Sequence, residues 1–189
     1  SSDSSFKKYI NYKNKFSIEY PNDWLKGAGG LAHNDALAAF SDRQNWKTMV
    51  QVFFYEDGWN PPRSDSKALQ AIEKNQSEYC DEQLGQVEYG TRKCSNFRVV
   101  DSYITYTDDN RKVYLSEMTY SLEWGESPFK HSINSISGQL YDGDATWVMY
   151  SFSFGSAKHI HFDEIIHMMK SFSLTSTAAA SEQQTQQQT

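Results

Sequence analysis

Residues 132–172 read SINSISGQLYDGDATWVMYSFSFGSAKHIHFDEIIHMMKSF, and two different periods follow one another in that stretch. Ser132 to Tyr141 and Thr146 to Phe154 are rich in strand-forming residues, and Asp142-Gly143-Asp144 between them is turn chemistry. The pair is predicted to be an antiparallel hairpin. Then the period changes. Phe162, Ile165, Ile166, Met169 and Phe172 fall at i, i+3, i+4, i+7 and i+10, the apolar stripe of an amphipathic helix.

Working outward, the same two patterns recur upstream. Strands over Asn96–Thr107 and Arg111–Trp124 flank Asp108-Asp109-Asn110, a polar hairpin loop. Ser64 or Asp65 is placed to cap a helix to about Tyr79, with Ala68, Leu69, Ile72 and Tyr79 on one face. Trp46–Tyr55 reads WKTMVQVFFY. Its two faces, Met49, Gln51, Phe53, Tyr55 and Trp46, Thr48, Val50, Val52, Phe54, both carry apolar residues, the pattern of a central strand covered on both sides. Phe16, Ile18 and Tyr20 alternate with Ser17 and Glu19 as in a half-buried strand, and Pro21-Asn22-Asp23 turns the chain so that Trp24 returns to the core. Short strands, a helix, long antiparallel hairpins and a closing helix make an α+β layered sandwich with a mostly antiparallel sheet. A single domain over 9–174 is expected, after a disordered 1–8 and before a disordered tail, 175–189, which has no large apolar residue to offset the entropy of ordering.

The 189 residues include 12 Tyr, 11 Phe and 5 Trp, enough aromatic area for the core of a sheet-based fold. A net charge of −6, with Arg43, Arg63, Arg92, Arg98 and Arg111 scattered along the chain, argues against nucleic acid as a partner, because phosphates demand clustered bases. No apolar run approaches the roughly 20 residues of a membrane span. Cys80 and Cys94 bracket a polar loop that little else holds, so a disulfide is expected, and with it an oxidising compartment.

The residues also carry a family resemblance. FSIEYPNDW, residues 16–24, resembles the opening motif of PsbP-like proteins, and Gly138-Gln139-Leu140-Tyr141, then Trp147, then a helix ending Ser171-Phe172, resembles their close. The resemblance spans 9–174 and implies an α-β-α sandwich shared with the Ran-binding import-factor fold. The family includes extrinsic photosystem II subunits and exported bacterial and archaeal proteins, and the style of this sequence is most similar to the archaeal group. It implies a non-enzymatic, extracytoplasmic interaction module with a protein partner, such as an accessory subunit of a membrane-bound complex.

The search for chemistry yields little that is specific. GxSxG, GxxxxGK[ST] and GxGxxG are absent, so no enzyme is expected. His159, His161, Asp163 and His167 offer nitrogen and oxygen ligands suited to zinc or copper, which supports an alternative reading as a metal- or small-molecule-binding domain. The spacing in HFDEIIH is not that of HExxH. The competing reading is a solvated helix start with acids near its dipole. Trp59, in the loop EDGWNPPR, reads as an interface anchor or as a lid over the core.

Overall fold

The computed structural model describes residues 5–27, 33–42, 47–56, 62–82, 92–124, 130–155 and 157–175, with backbone only at 82, 92, 124 and 157–160. Its elements run β1 (Phe6–Asn11), β2 (Phe16–Pro21), β3 (Leu25–Lys26), β4 (Ala38–Ser41), β5 (Thr48–Tyr55), α1 (Asp65–Glu82), β6 (Arg92–Tyr106), β7 (Lys112–Trp124), β8 (Lys130–Asp142), β9 (Ala145–Phe154), α2 (Ala157–Ser171) and β10 (Ser173–Leu174). Seven strands form one antiparallel sheet in the order β3-β4-β5-β9-β8-β7-β6, and β1-β2-β10 form a small second sheet.

Alternation decides which helix covers which face. On β7, Val113 and Leu115 enter the main core with Ile165, Met168, Met169 and Phe172 of α2, while Tyr114 between them packs on Ala68 and Ile72 of α1. The helices therefore lie on opposite faces, which is the expected α-β-α sandwich. The small sheet joins the α2 side: Phe16 of β2 meets Trp147 at 5.4 Å and Phe172 at 5.7 Å between ring centroids. The two-faced apolar pattern of β5 is explained by its place inside the sheet, between β4 and β9, with residues 48–52 all buried.

Gly138 sets how closely α2 approaches. A Cβ at this position of β8 would lie 3.2 Å from Met169 Sδ and 3.3 Å from Val113 Cγ1, tighter than ordinary carbon contacts. Only a glycine lets the helix rest this low on the sheet.

Several boundaries differ from the sequence reading. The stretch 1–8 was expected to lie outside the domain, yet β1 starts at Phe6, because Phe6 to Asn11 pair in full register with Pro21 to Phe16. The β8–β9 turn is shorter than Asp142-Gly143-Asp144: Asp142 already pairs with Ala145, leaving Gly143 (φ 61°) first in a two-residue turn. The helix α1 continues past Tyr79 to carry Cys80 to Cys94 of β6, where the two form a disulfide with Cα atoms 5.3 Å apart. Residues 1–4 and 176–189, including nearly all of the Gln-rich tail, lie outside the described residues.

Candidate functional site

The helix α2 carries the histidines that stand out in the sequence, and its packing sends them in different directions. His161 reaches the end of β4, placing Nε2 3.6 Å from Asp42 Oδ2, while Nδ1 lies 2.6 Å from Glu164 Oε2 one turn along the helix. Trp24 packs perpendicular to the His161 ring, with ring centroids 5.3 Å apart at 89°. Asp42 is buried and its Oδ1 accepts the Thr48 N–H at 2.9 Å. The Thr48 hydroxyl in turn shares a 3.1 Å hydrogen bond with that of Ser153. A polar chain thus runs from α2 through the end of β4 and β5 to β9.

His167 serves the small sheet. Its ring stacks on Phe6 at 3.7 Å, and its Nε2 faces Glu19 Oε2 at 3.6 Å. One turn further, Ser171 Oγ accepts the Glu19 N–H at 2.9 Å and donates to the Met168 carbonyl at 2.7 Å. Asp163 is exposed, and the side chain of His159 is outside the described residues. Among the described residues no three His, Cys, Asp or Glu side chains converge as a metal site. Trp59 also lies outside the described residues.

The chemistry available to His161 follows from its two neighbours. Each ring nitrogen faces a carboxylate, and the nearest hydroxyls of this network, Thr48 and Ser153, stand on the far side of Asp42. A base positioned to activate a nucleophile needs that nucleophile on a ring nitrogen. The arrangement is instead a polar latch that fastens α2 to the end of β4. Sequence spacing could not reveal it, since Asp42 and Trp24 come from distant parts of the chain.

Other polar features are also structural. Arg111 lies between Asp109 (3.7 Å) and Asp142 (3.4 Å), so the two acidic turns share a cation from the chain itself. Hydrogen bonds from Lys112 and Tyr114 hold the Asp65 carboxyl, at the start of α1, below its ordinary range. The Tyr120 and Tyr150 hydroxyls share a 2.8 Å hydrogen bond, and burial pushes both phenols up.

The surface offers a different kind of feature. Among the described residues, four large hydrophobic ones are about half exposed: Tyr55 (52%), Tyr79 (48%), Val100 (55%) and Tyr106 (49%). Tyr55 closes β5, Tyr79 is on α1, and the other two are on β6, the terminal strand of the large sheet. Burial, and then the neighbouring Tyr79, raise the Tyr55 phenol.

No family model matches this chain, and no curated protein matches it in sequence. Solved structures do match its fold. Cyanobacterial PsbP (CyanoP) from Synechocystis sp. PCC 6803 aligns over 90% of this chain and 93% of its own, with TM-score 0.57 and 12% identity. The Saccharomyces cerevisiae Ran-binding protein Mog1p aligns over 92% and 97%, with TM-score 0.61 and 10% identity. LpqN of Mycobacterium tuberculosis, described as involved in cell envelope biogenesis, aligns over 92% and 94%, with TM-score 0.50 and 8% identity. At such identities the likeness is one of fold, and that fold is PsbP/Mog1-like.

Proposed function

We propose that this PsbP/Mog1-like domain is a non-enzymatic interaction module that works outside the cytoplasm, as an extrinsic or accessory subunit of a membrane-bound complex. The observation that carries the reading is the set of half-exposed hydrophobic residues, Tyr55, Tyr79, Val100 and Tyr106, held on the large sheet and α1. Tyrosine is enriched at protein interfaces because it offers large contact area with few rotors to immobilise. The same fold in a protein named for binding Ran supports a binding role. The Cys80–Cys94 disulfide supports an oxidising compartment, since reducing cytosol keeps such pairs open.

Chemical cross-linking of the endogenous protein in its native extract tests this reading, with mass spectrometry of whatever is joined to it. The expected result is a stoichiometric partner from a membrane complex, with Cys80 and Cys94 oxidised when thiols are trapped in intact cells. A protein that runs alone at its monomer mass, or one recovered with both thiols free, overturns it.

A further inference from the structure

We propose that the outer edge of β6 over residues 101–106 accepts an extended segment of another protein as an added strand, and that this segment places a lysine or arginine against Asp101. The inference rests on the interaction-module reading and names the kind of partner it takes.

The edge itself is the first observation. Among the described residues β6 has β7 as its one strand neighbour. In such a strand every second residue turns its N–H and C=O outward, a template for a further strand. Natural sheets blunt these edges with bulges, and β6 has them in its first half only. Its register shifts between Ser95 and Arg98 and again between Val99 and Asp101, with Asn96 at φ 55°. From Asp101↔Glu117 to Tyr106↔Lys112 the ladder is unbroken. The protected half ends where a regular stretch, Asp-Ser-Tyr-Ile-Thr-Tyr, begins, and its Tyr, Ile and Thr are strand formers. Val100 and Tyr106 mark the two ends of that stretch with exposed apolar surface. Strand addition draws affinity from the backbone and specificity from side chains at alternate positions.

Charge identifies the occupant. Asp101 is exposed, and the register sets it opposite Glu117 of β7, which is buried, so the charge presented at this edge is that of Asp101 with a buried acid beside it. The nearby Tyr103 phenol is pushed up by burial first, then by Glu117 and Asp101, as expected at a negative corner. A residue directly opposite Asp101 on an added strand has its Cβ about 5 Å away, where a cation is favoured and a carboxylate repelled. A second copy of this chain is the poorer occupant. Residues 101–106 contain no lysine or arginine, and each copy carries a net charge of −6.

The test uses the full chain and a fluorescein-labelled peptide of alternating threonine and valine with one central lysine. A second peptide has glutamate at that place, and a third is the lysine peptide N-methylated along its pairing edge. Fluorescence anisotropy is expected to show the lysine peptide binding roughly fivefold tighter than the glutamate peptide, and the N-methylated peptide not binding. Asp101→Lys is expected to reverse the order of the first two. Hydrogen exchange is expected to slow at alternate amides of 101–106 in the complex. Equal binding of the lysine and glutamate peptides, or unchanged exchange at 101–106, overturns the proposal. So does a peptide-free dimer with slow 101–106 amides, which assigns the edge to a second copy. Native cross-linking repeated with Asp101→Lys separates the two levels of the argument. A partner captured in full by the variant refutes the β6 site and leaves the module reading standing, whereas no partner for either protein refutes the module reading itself.

Discussion

Gly138→Ala is the sharpest test of how α2 is seated. The new methyl would meet Met169 Sδ at 3.2 Å, Val113 Cγ1 at 3.3 Å and Met149 Cε at 3.5 Å. All three neighbours are at most 1% exposed, so none has free volume to retreat into. Val113 is β-branched and stiff at χ1, leaving Met169 and the helix above it to move by a few tenths of an ångström. Overpacking of this kind costs about 1–3 kcal/mol. The lower entropy of an alanine-containing unfolded chain returns about 0.4–1 kcal/mol, since Gly138 does not have a positive φ. The midpoints of these two ranges leave a net loss of about 1.3 kcal/mol, or a fall in Tm of roughly 3–5 °C for a domain of this size. Urea unfolding followed by tryptophan fluorescence measures it, with Trp147 reporting from the same core. Met169→Ala removes the sulfur that the methyl strikes. The double variant should therefore be more stable than the two single losses predict, by at least roughly 0.5 kcal/mol. A Gly138→Ala protein as stable as the parent, or a cycle with no coupling, refutes the reasoning.

Three further outcomes follow from the same geometry. Replacing Cys80 and Cys94 by serine should lower stability by about 3 kcal/mol, the loop-closure value for a separation near that of this pair, and an unchanged urea midpoint would contradict it. Asp42→Ala leaves the Thr48 N–H without its acceptor and His161 without one carboxylate, a loss of about 2–3 kcal/mol. Asp42→Asn, which keeps an oxygen for Thr48, should lose less in thermal melts, and equal losses would show that the Thr48 hydrogen bond contributes nothing. Asp65 has a carboxyl pKa lowered by Lys112 and Tyr114, so its contribution is present above the unfolded-state value near about 4 and fades as pH falls through the lower folded value. Asp65→Asn should flatten the stability–pH curve in that acid range, and an unaltered acid slope would show that the pair contributes nothing.

The candidate site was legible in part. The closing helix drew attention for its histidines, and the structure gives His161 and His167 definite roles. Their partners lie elsewhere: Asp42 and Trp24 for His161, Phe6 and Glu19 for His167. In the sequence Asp42 is one acid among many beside a turn, and nothing local marks it as buried. Phe6 stood in the stretch 1–8 placed outside the domain, because the register that orders it is supplied by β2.

What the sequence determined by itself is whatever a short window encodes. The hairpins at 107–111 and 142–145, the two amphipathic helices and the two-faced pattern of β5 follow from side-chain period and turn chemistry, which are properties of consecutive residues. The α+β class follows from their order. Tertiary structure alone decided the rest. That β10 returns to pair Ser173 with Ser17, that β9 lies between β5 and β8, and that β6 is left at the edge are outcomes of competition among strands of similar composition. Backbone hydrogen bonds are alike for every strand pair. The choice of neighbour, and hence of which strand ends the sheet, rests on how the two faces pack around α1 and α2.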